Sequence, residues 1–379
     1  MANGSLRQSG LPSVDYYAPN YRIEVEGREL DPQSKGDVLD VKVSMDMENM
    51  TRFDLTVNNW DARNFTFKYS DTKEFDVGNR VHIQMGYADK LLSMMRGQIS
   101  SLTPKFPESG SPTISISGLD GMFRLRDRKP PAGQEKYLNM ADYEIAQRVA
   151  ARNKIQCKVT AEGEKHDLVI QKNQDDAQFL MERAKRIDFD CYVETDASSG
   201  LDTLYFVKPA DGRDSASTKV YVFEWGKSLI SFSPQLTLSR QVASVTIRTW
   251  NSRTKDVITY TATASDLPGA KGGGLSGPAA ADQRLGGKQE VVVDAPVTSQ
   301  EEARKLAITL LRERAYEFIT GTGQVIGLPD LRPGANVELN GLGKRFSGVY
   351  YVKKVEHSLG SSGYQTQFEV RKVFDGGTN

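Results

Sequence analysis

Three histidines (His82, His166 and His357) and two cysteines (Cys157 and Cys191) are the side chains here best suited to metal binding or nucleophilic chemistry. Either chemistry needs them in sets, such as an HExxH helix, paired CxxC motifs, or a cysteine beside a histidine base. None of these spacings occurs. His82 and His357 each fall inside an alternating strand pattern, and His166 follows Glu162-Gly-Glu-Lys in a charged turn, so each reads as structural. Cys157 (Ile155-Gln-Cys157-Lys-Val) and Cys191 (Phe189-Asp-Cys191-Tyr-Val) are too few for a disulfide framework and read as buried, reduced thiols.

Phosphate chemistry fares no better. Gly269-Ala-Lys-Gly-Gly-Gly274 lacks a Gly-Lys-Ser/Thr ending, and Gly341-Leu-Gly343-Lys344 runs into Arg345 in a hairpin region. A backbone cradle for phosphate needs a strand leading into a helix, so both runs read as turns. No G-x-S-x-G elbow is present. Carboxylates are plentiful, but spacing singles out no acid/base pair. Trp60, Trp225 and Trp250 read as buried or interface anchors rather than ligand platforms. No catalytic, cofactor-binding or metal-binding residue is predicted, and the chain is expected not to be an enzyme.

The elements that would have to carry such groups are mostly strands. Apolar residues alternate strictly in Leu39-Asp-Val41-Lys-Val43-Ser-Met45-Asp-Met47, and the pattern recurs at Phe53/Leu55/Val57, Phe65/Phe67/Tyr69, Val81/Ile83/Met85 and Ile114/Ile116. A period of two puts the apolar side chains on one face. Strands so patterned must close on each other, predicting a barrel or sandwich over residues 15–128. From Lys129-Pro130-Pro131 the texture changes. Helices are predicted at Met140–Asn153 and Asp175–Ile187, flanked by short strands, as an α/β insertion over 129–218. Alternation resumes at Val220/Val222, Leu229–Leu238, Val242–Ile247 and Val257–Thr261. Ser265–Lys288, rich in Gly, Ala and Pro, reads as a long mobile loop. Ser299-Gln-Glu-Glu302 is a capping box opening a third helix that buries Ala303, Leu306, Ala307, Leu310, Leu311 and Phe318. The end is β again, with a two-residue turn expected at Asn340-Gly341 and a last strand through Tyr364, Thr366, Phe368 and Val370.

Lys+Arg and Asp+Glu number 49 each in 379 residues, so the basic excess of a dedicated nucleic-acid binder is missing and no specific nucleic-acid binding is expected. No apolar run is long enough to span a membrane as a helix. The first ten residues lack a secretory layout, predicting assembly in the cytoplasm.

The C-terminal stretch Gly327-Leu-Pro-Asp-Leu-Arg-Pro-Gly334-Ala-Asn-Val-Glu-Leu339-Asn-Gly-Leu-Gly343-Lys-Arg-Phe346-Ser-Gly348-Val-Tyr-Tyr351-Val-Lys-Lys-Val355-Glu-His357, followed by Gly363-Tyr-Gln-Thr-Gln-Phe368-Glu-Val, closely resembles the end of the phage late control D family. That family includes the hub part of VgrG-type spike proteins. Tyr21–Glu29 and the Asp175–Ile187 helix resemble it more loosely. The resemblance implies two antiparallel barrels per chain, each related to the tail-tube subunit, and a homotrimer whose six barrels join a sixfold inner tail tube to a threefold spike. The implied partners are the tube protein, a spike or tip protein and other baseplate proteins. The implied setting is the baseplate of a virion tail or a released tail-like particle. Because the needle repeats of the fused members are missing before Asn379, the chain is expected to be the unfused hub.

Combined with the strand pattern, this gives an N-terminal tail (1–14), a first tube-like barrel (15–128) and the α/β insertion (129–218). A second barrel (219–262 and 319–374) is interrupted by a loop and helix (263–318), and 375–379 form a tail. The fold class expected is mainly β. Two rivals differ in class: a tail-borne cell-wall hydrolase would need a carboxylate site in a cleft, and a carbohydrate- or receptor-binding β protein would need exposed aromatics.

Overall fold

The computed structural model describes residues 7–9, 18–47, 49–126, 128–187, 189–195, 201–208, 220–251, 254–267, 274–293, 295, 297 and 299–376. The alternation seen in the sequence translates directly into burial. In Val38–Asp46 the side chains of Val41, Val43 and Met45 are buried, and Lys42 between them is exposed. Arg52–Asn58 and Thr113–Asp120 repeat the pattern.

Among the described residues fourteen strands join in one hydrogen-bonded sheet, so the chain is mainly β. The first half runs, in spatial order, Val38–Asp46, Arg52–Asn58, Thr113–Asp120, Lys90–Lys105, Arg80–Tyr87 and Pro19–Val25. In the second half Leu229–Leu236 pairs with Ile319–Ile326, then come Gly363–Lys372, Gly348–Gly360, Asn336–Asn340 and Val220–Glu224. Each half curls around its own core. Phe53, Leu55, Ile83 and Ile116 fill the first, and Phe223, Val337, Tyr350 and Phe368 fill the second.

The two barrels expected are thus two lobes of a single sheet, and among the described residues no ladder closes either lobe on itself. The reason lies in one strand. Val38–Asp46 would have to meet Pro19–Val25 to close the first lobe, but it gives that edge to Gly348–Gly360, pairing from Asp46 opposite Lys354 to Val41 opposite Leu359. In the second lobe the outer strands meet only at a bridge between Trp225 and Leu229. Of the predicted N-terminal tail, Arg7–Ser9 pairs in parallel with Val220–Val222, and the rest lies outside the described residues.

Between the lobes, helices Asp142–Asn153 and Asp176–Arg186 pack Ile145, Val149, Phe179 and Leu180 against small sheets, with Leu204 and Phe206 opposite. Asp175 caps the second helix, its carboxylate accepting from the Gln178 amide at 2.8 Å.

Four local expectations are corrected. Ser244–Asn251 and Asp256–Thr263 do not join the second lobe. They form a separate three-stranded sheet with Gln289–Val293, whose apolar alternation competes for them, and bury Val245 and Ile247 under helix Gln300–Tyr316. The predicted mobile loop contains helix Gly277–Arg284, which starts where Ser276 accepts from the Ala279 amide and Pro278 sits in the first turn. The remainder of that Gly-rich run, 268–273, lies outside the described residues. At Asn340-Gly341 the connection is longer than two residues, with a helical turn over Gly343–Phe346 before Gly348 pairs with Leu339. Finally, Phe65, Phe67 and Tyr69 do not share the face of a core strand. Tyr69 is buried, while Phe65 and Phe67 stay outside on a short Trp60–Asp61/Thr66–Phe67 hairpin.

Candidate functional site

The residues of the C-terminal motif converge on the joint between the two lobes. His357 lies in the strand that crosses from one lobe to the other and is fully buried. Its Nε2 is 3.1 Å from the Leu331 carbonyl, which can only accept, so this nitrogen carries the proton. Nδ1 then accepts, facing the hydroxyls of Tyr364 and Thr366 at 3.1 Å each. Burial, with the Arg332 charge beside it, pushes His357 down to about 3, so the ring is neutral. Thr366 Oγ1 also accepts from the Leu328 amide at 2.8 Å.

The loop from Gly327 to Gly334 is in turn stitched to the first lobe. Tyr87 donates its hydroxyl to the Gly327 carbonyl at 2.8 Å, and its ring lies 5.5 Å from that of Tyr364. Tyr364 itself packs in the first lobe's core although its strand belongs to the second. Arg332 donates to the Ser93 carbonyl at 2.8 Å and rests against Met94. Gly327 is required here because a Cβ would stand 2.2 Å from the Tyr364 ring. Both ring nitrogens of His357 and the hydroxyls of Tyr364 and Thr366 find partners in this buried joint, where leaving them unpaired would be costly. The motif therefore encodes a rigid weld.

Across the weld the sheet presents one continuous polar face. Registers place Ser233, Thr322, Glu369, Lys354, Asp46 and Ser44 on it, then Arg52, Asp54, Ser117 and Ser101. It carries both signs, with Asp40, Asp46, Asp54, Glu356 and Glu369 among Lys42, Arg52, Lys105, Lys354 and Arg371. Ion pairs Arg52–Asp54 (3.4 Å) and Lys354–Glu369 (3.3 Å) lie within it.

A carboxylate cleft also exists. Asp120, Asp202, Glu24 and His82 line a space of about 310 Å³ at the seam between the first lobe and the middle unit. Burial pushes Asp120 up to about 6 against the amides of Thr51 and Met122, which it accepts at 2.9 Å each, and Asp202 nearby adds to the rise. Asp202 pairs with Arg124 at 2.9 Å. Both carboxylates are thus engaged in holding local structure. Among the described residues no three His, Cys, Asp or Glu side chains are placed to hold a metal.

The other histidines bind within the structure. His82 contacts Glu24 and Ser93 at 3.3 and 3.0 Å, and burial holds it below its usual value. His166 ties the middle unit to helix Gln300–Tyr316, with Nδ1 2.9 Å from Glu302 and Nε2 3.3 Å from Asp142. These two carboxylates raise it to about 9. Burial alone would raise Asp142, but His166 and Arg183 together hold it low. Cys157 and Cys191 are free thiols, both raised by burial, Cys157 to about 11. Trp225 and Trp250 are largely exposed and Trp60 is half-buried, so none is a core anchor. Sequence reasoning did not single out Tyr87, Ser93 or Asp120. Arg332 was inside the motif, where its position between Leu331 and Pro333 was the available signal.

No helix among the described residues is long and apolar enough to cross a membrane. The fold has solved counterparts. A 43 kDa tail protein of prophage MuSo2 from Shewanella oneidensis matches with a TM-score of 0.69 and 15% identity, over 93% of this chain and 98% of that one. A tail protein from Neisseria meningitidis matches with a TM-score of 0.67 and 16% identity, over 94% and 97%. An Escherichia coli component of the type VI secretion system, described as structurally similar to two bacteriophage T4 tail proteins, matches with a TM-score of 0.56 and 12% identity, over 92% and 76%. At these identities the likeness is one of fold. The chain has no match among curated proteins. The family model described as the Alg8 N-terminal domain matches residues 17–361, nearly the whole length over which the two lobes and their weld are built, and the chain belongs to that family.

Proposed function

We propose that the chain is a structural protein of a contractile phage tail or related injection machine, namely its baseplate hub of the late control D and VgrG type. In this reading three copies form a pseudo-sixfold ring that joins the inner tail tube to a threefold spike and contacts other baseplate proteins. The particle is assembled in the bacterial cytoplasm. The chain performs no catalysis and needs no cofactor.

One observation carries the proposal. Two separate β cores are strung on one sheet and welded by the His357–Arg332 joint, which fixes their mutual angle. A ring that must present two equivalent units per subunit needs that fixed angle, since a loose hinge would let the ring fail to close. The names of the solved counterparts, which are tail and secretion-system proteins, point the same way. The polar face of mixed charge and hydroxyls suits the inner wall of such a ring, because it offers passing cargo no apolar patch to hold it.

Size-exclusion chromatography with light scattering tests the assembly. The expected mass is three times that of the chain at micromolar concentration. A monomer that cleaves peptidoglycan would replace this proposal with the hydrolase reading.

A further inference from the structure

Each of the two smaller units is anchored to a different lobe. The middle unit grows from the first lobe at Asp120, whose carboxylate accepts from the Thr51 amide and from the Met122 amide, and Met122 already belongs to the middle unit's core. The unit built on helix Gln300–Tyr316 is tied to the second lobe. That lobe's last strand, Gly363–Lys372, runs on into Val373 and Phe374, which pack against the unit's core. The two units then meet each other directly, and among the described residues no apolar side chain is common to their cores.

What joins them is polar. His166 Nδ1 stands 2.9 Å from Glu302, Ser299 donates to Glu164 at 2.8 Å, and Lys185 reaches Glu313 at 3.7 Å. Glu302 and Glu313 lie about three turns apart, roughly 16 Å, and so share one face of the helix. The first contact is shielded, with the side chains of His166 and Glu302 18% and 11% exposed, whereas that of Lys185 is 65% exposed. Lys185 and Glu313 also line a cleft of about 750 Å³, together with Gln235, Thr320 and Arg371 of the sheet. Their pair spans that cleft.

We propose that this contact is a clasp: a releasable polar lock that holds the two smaller units together over the cleft and lets them part while the weld keeps the lobes fixed. It stands on the packing of this chain alone and not on the hub reading. The chemistry of the two joints sets their order of release. Breaking the weld uncovers the fully buried His357 and the Tyr364 ring, whereas water can take over every bond of the clasp once it opens. The clasp also senses protons. Around His166 stand Asp142 and Arg183 of its own unit and Glu302 of the other, with Arg186 close to Asp142 and Glu302 and with Lys165 paired to Glu144. Asp142 and Glu302 raise His166 against burial and Arg183, and only Glu302 leaves when the clasp opens. Opening therefore lowers the value of His166. The closed state gains from its charge below the ordinary histidine range and loses that gain as pH rises through about 9.

The test is distance measurement between spin labels by electron resonance, on full-length chain diluted with unlabelled chain. One pair, Lys172→Cys with Lys305→Cys, reports on the two smaller units from exposed positions outside the clasp. A second, Asp89→Cys with Gln367→Cys, reports on the two lobes. Both are made in a Cys157→Ser background, and Cys191 is buried away from the label. The native chain at neutral pH should give one narrow distance for each pair. Glu164→Ala/Glu302→Gln/Glu313→Ala, which removes all three contacts from one side, should add a longer 172–305 distance carrying most of the signal, with the 89–367 distance unchanged. The native chain should gain the same longer distance as pH rises through about 9 and lose it on return to neutral. A 172–305 distance that stays native in the triple variant, one that ignores the rise in pH, or one that lengthens only together with the lobe pair would each overturn the clasp.

Discussion

Asp120 is a residue whose environment moves its titration into an accessible pH range. Its folded value of about 6 stands above the usual ~4 of an unfolded aspartate, so the folded state holds the proton more tightly. The stability this contributes is full below ~4 and is lost as pH rises through about 6. Asp120→Asn cannot titrate. The stability of the variant relative to the native chain should therefore rise with pH across that window, by up to ~3 kcal/mol. Urea unfolding at a series of pH values checks it. The variant gives up one acceptor oxygen for the Thr51 and Met122 amides, which shifts the whole curve but not its slope. A parallel pair of curves would show that Asp120 does not titrate there. None of this was legible in the sequence. Asp120 and Asp202 are far apart in the chain, and only packing of the middle unit against the first lobe brings both to one seam.

At the scale of elements, the helices were legible because their signals are local. Ser299 caps Gln300–Tyr316 as its spacing from Glu302 predicts, accepting from the Glu302 amide at 3.1 Å. The same hydroxyl donates to Glu164 of the middle unit at 2.8 Å, and the Glu302 carboxylate reaches out to His166. Ser299→Ala should lower stability by ~1 kcal/mol, the usual worth of such a cap. Ser299→Asp separates the two roles. Aspartate caps as well as serine, but it cannot donate to Glu164 and sets two carboxylates face to face. It should therefore fall below native, and recover with added salt. A Ser299→Asp chain as stable as the native one would mean the contact with Glu164 contributes nothing. Strand pairing was harder to read. Gln289–Val293 has the right alternation but lies far along the chain from the Ser244–Asn251 strand that it joins, so nothing local announced the three-stranded sheet.

At the scale of the molecule, the weld predicts how the chain unfolds. With Arg332 and His357 in place the two lobes should melt as one unit. Arg332→Ala removes the guanidinium that holds the second-lobe loop to Ser93 and Met94, and the single calorimetric transition should split into two. A variant that melts in one transition at lower temperature would show that the β ladder alone couples the lobes. The sequence by itself determined which residues turn inward, because a period of two or of 3.6 fixes a face whatever lies opposite. It also set the mainly β class. Only the tertiary structure decided that the two lobes share one sheet, that the motif is their joint, and that Phe65 and Phe67 stay outside. Those outcomes depend on which of several compatible edges meet across hundreds of residues, and alternation is the same for every edge that competes.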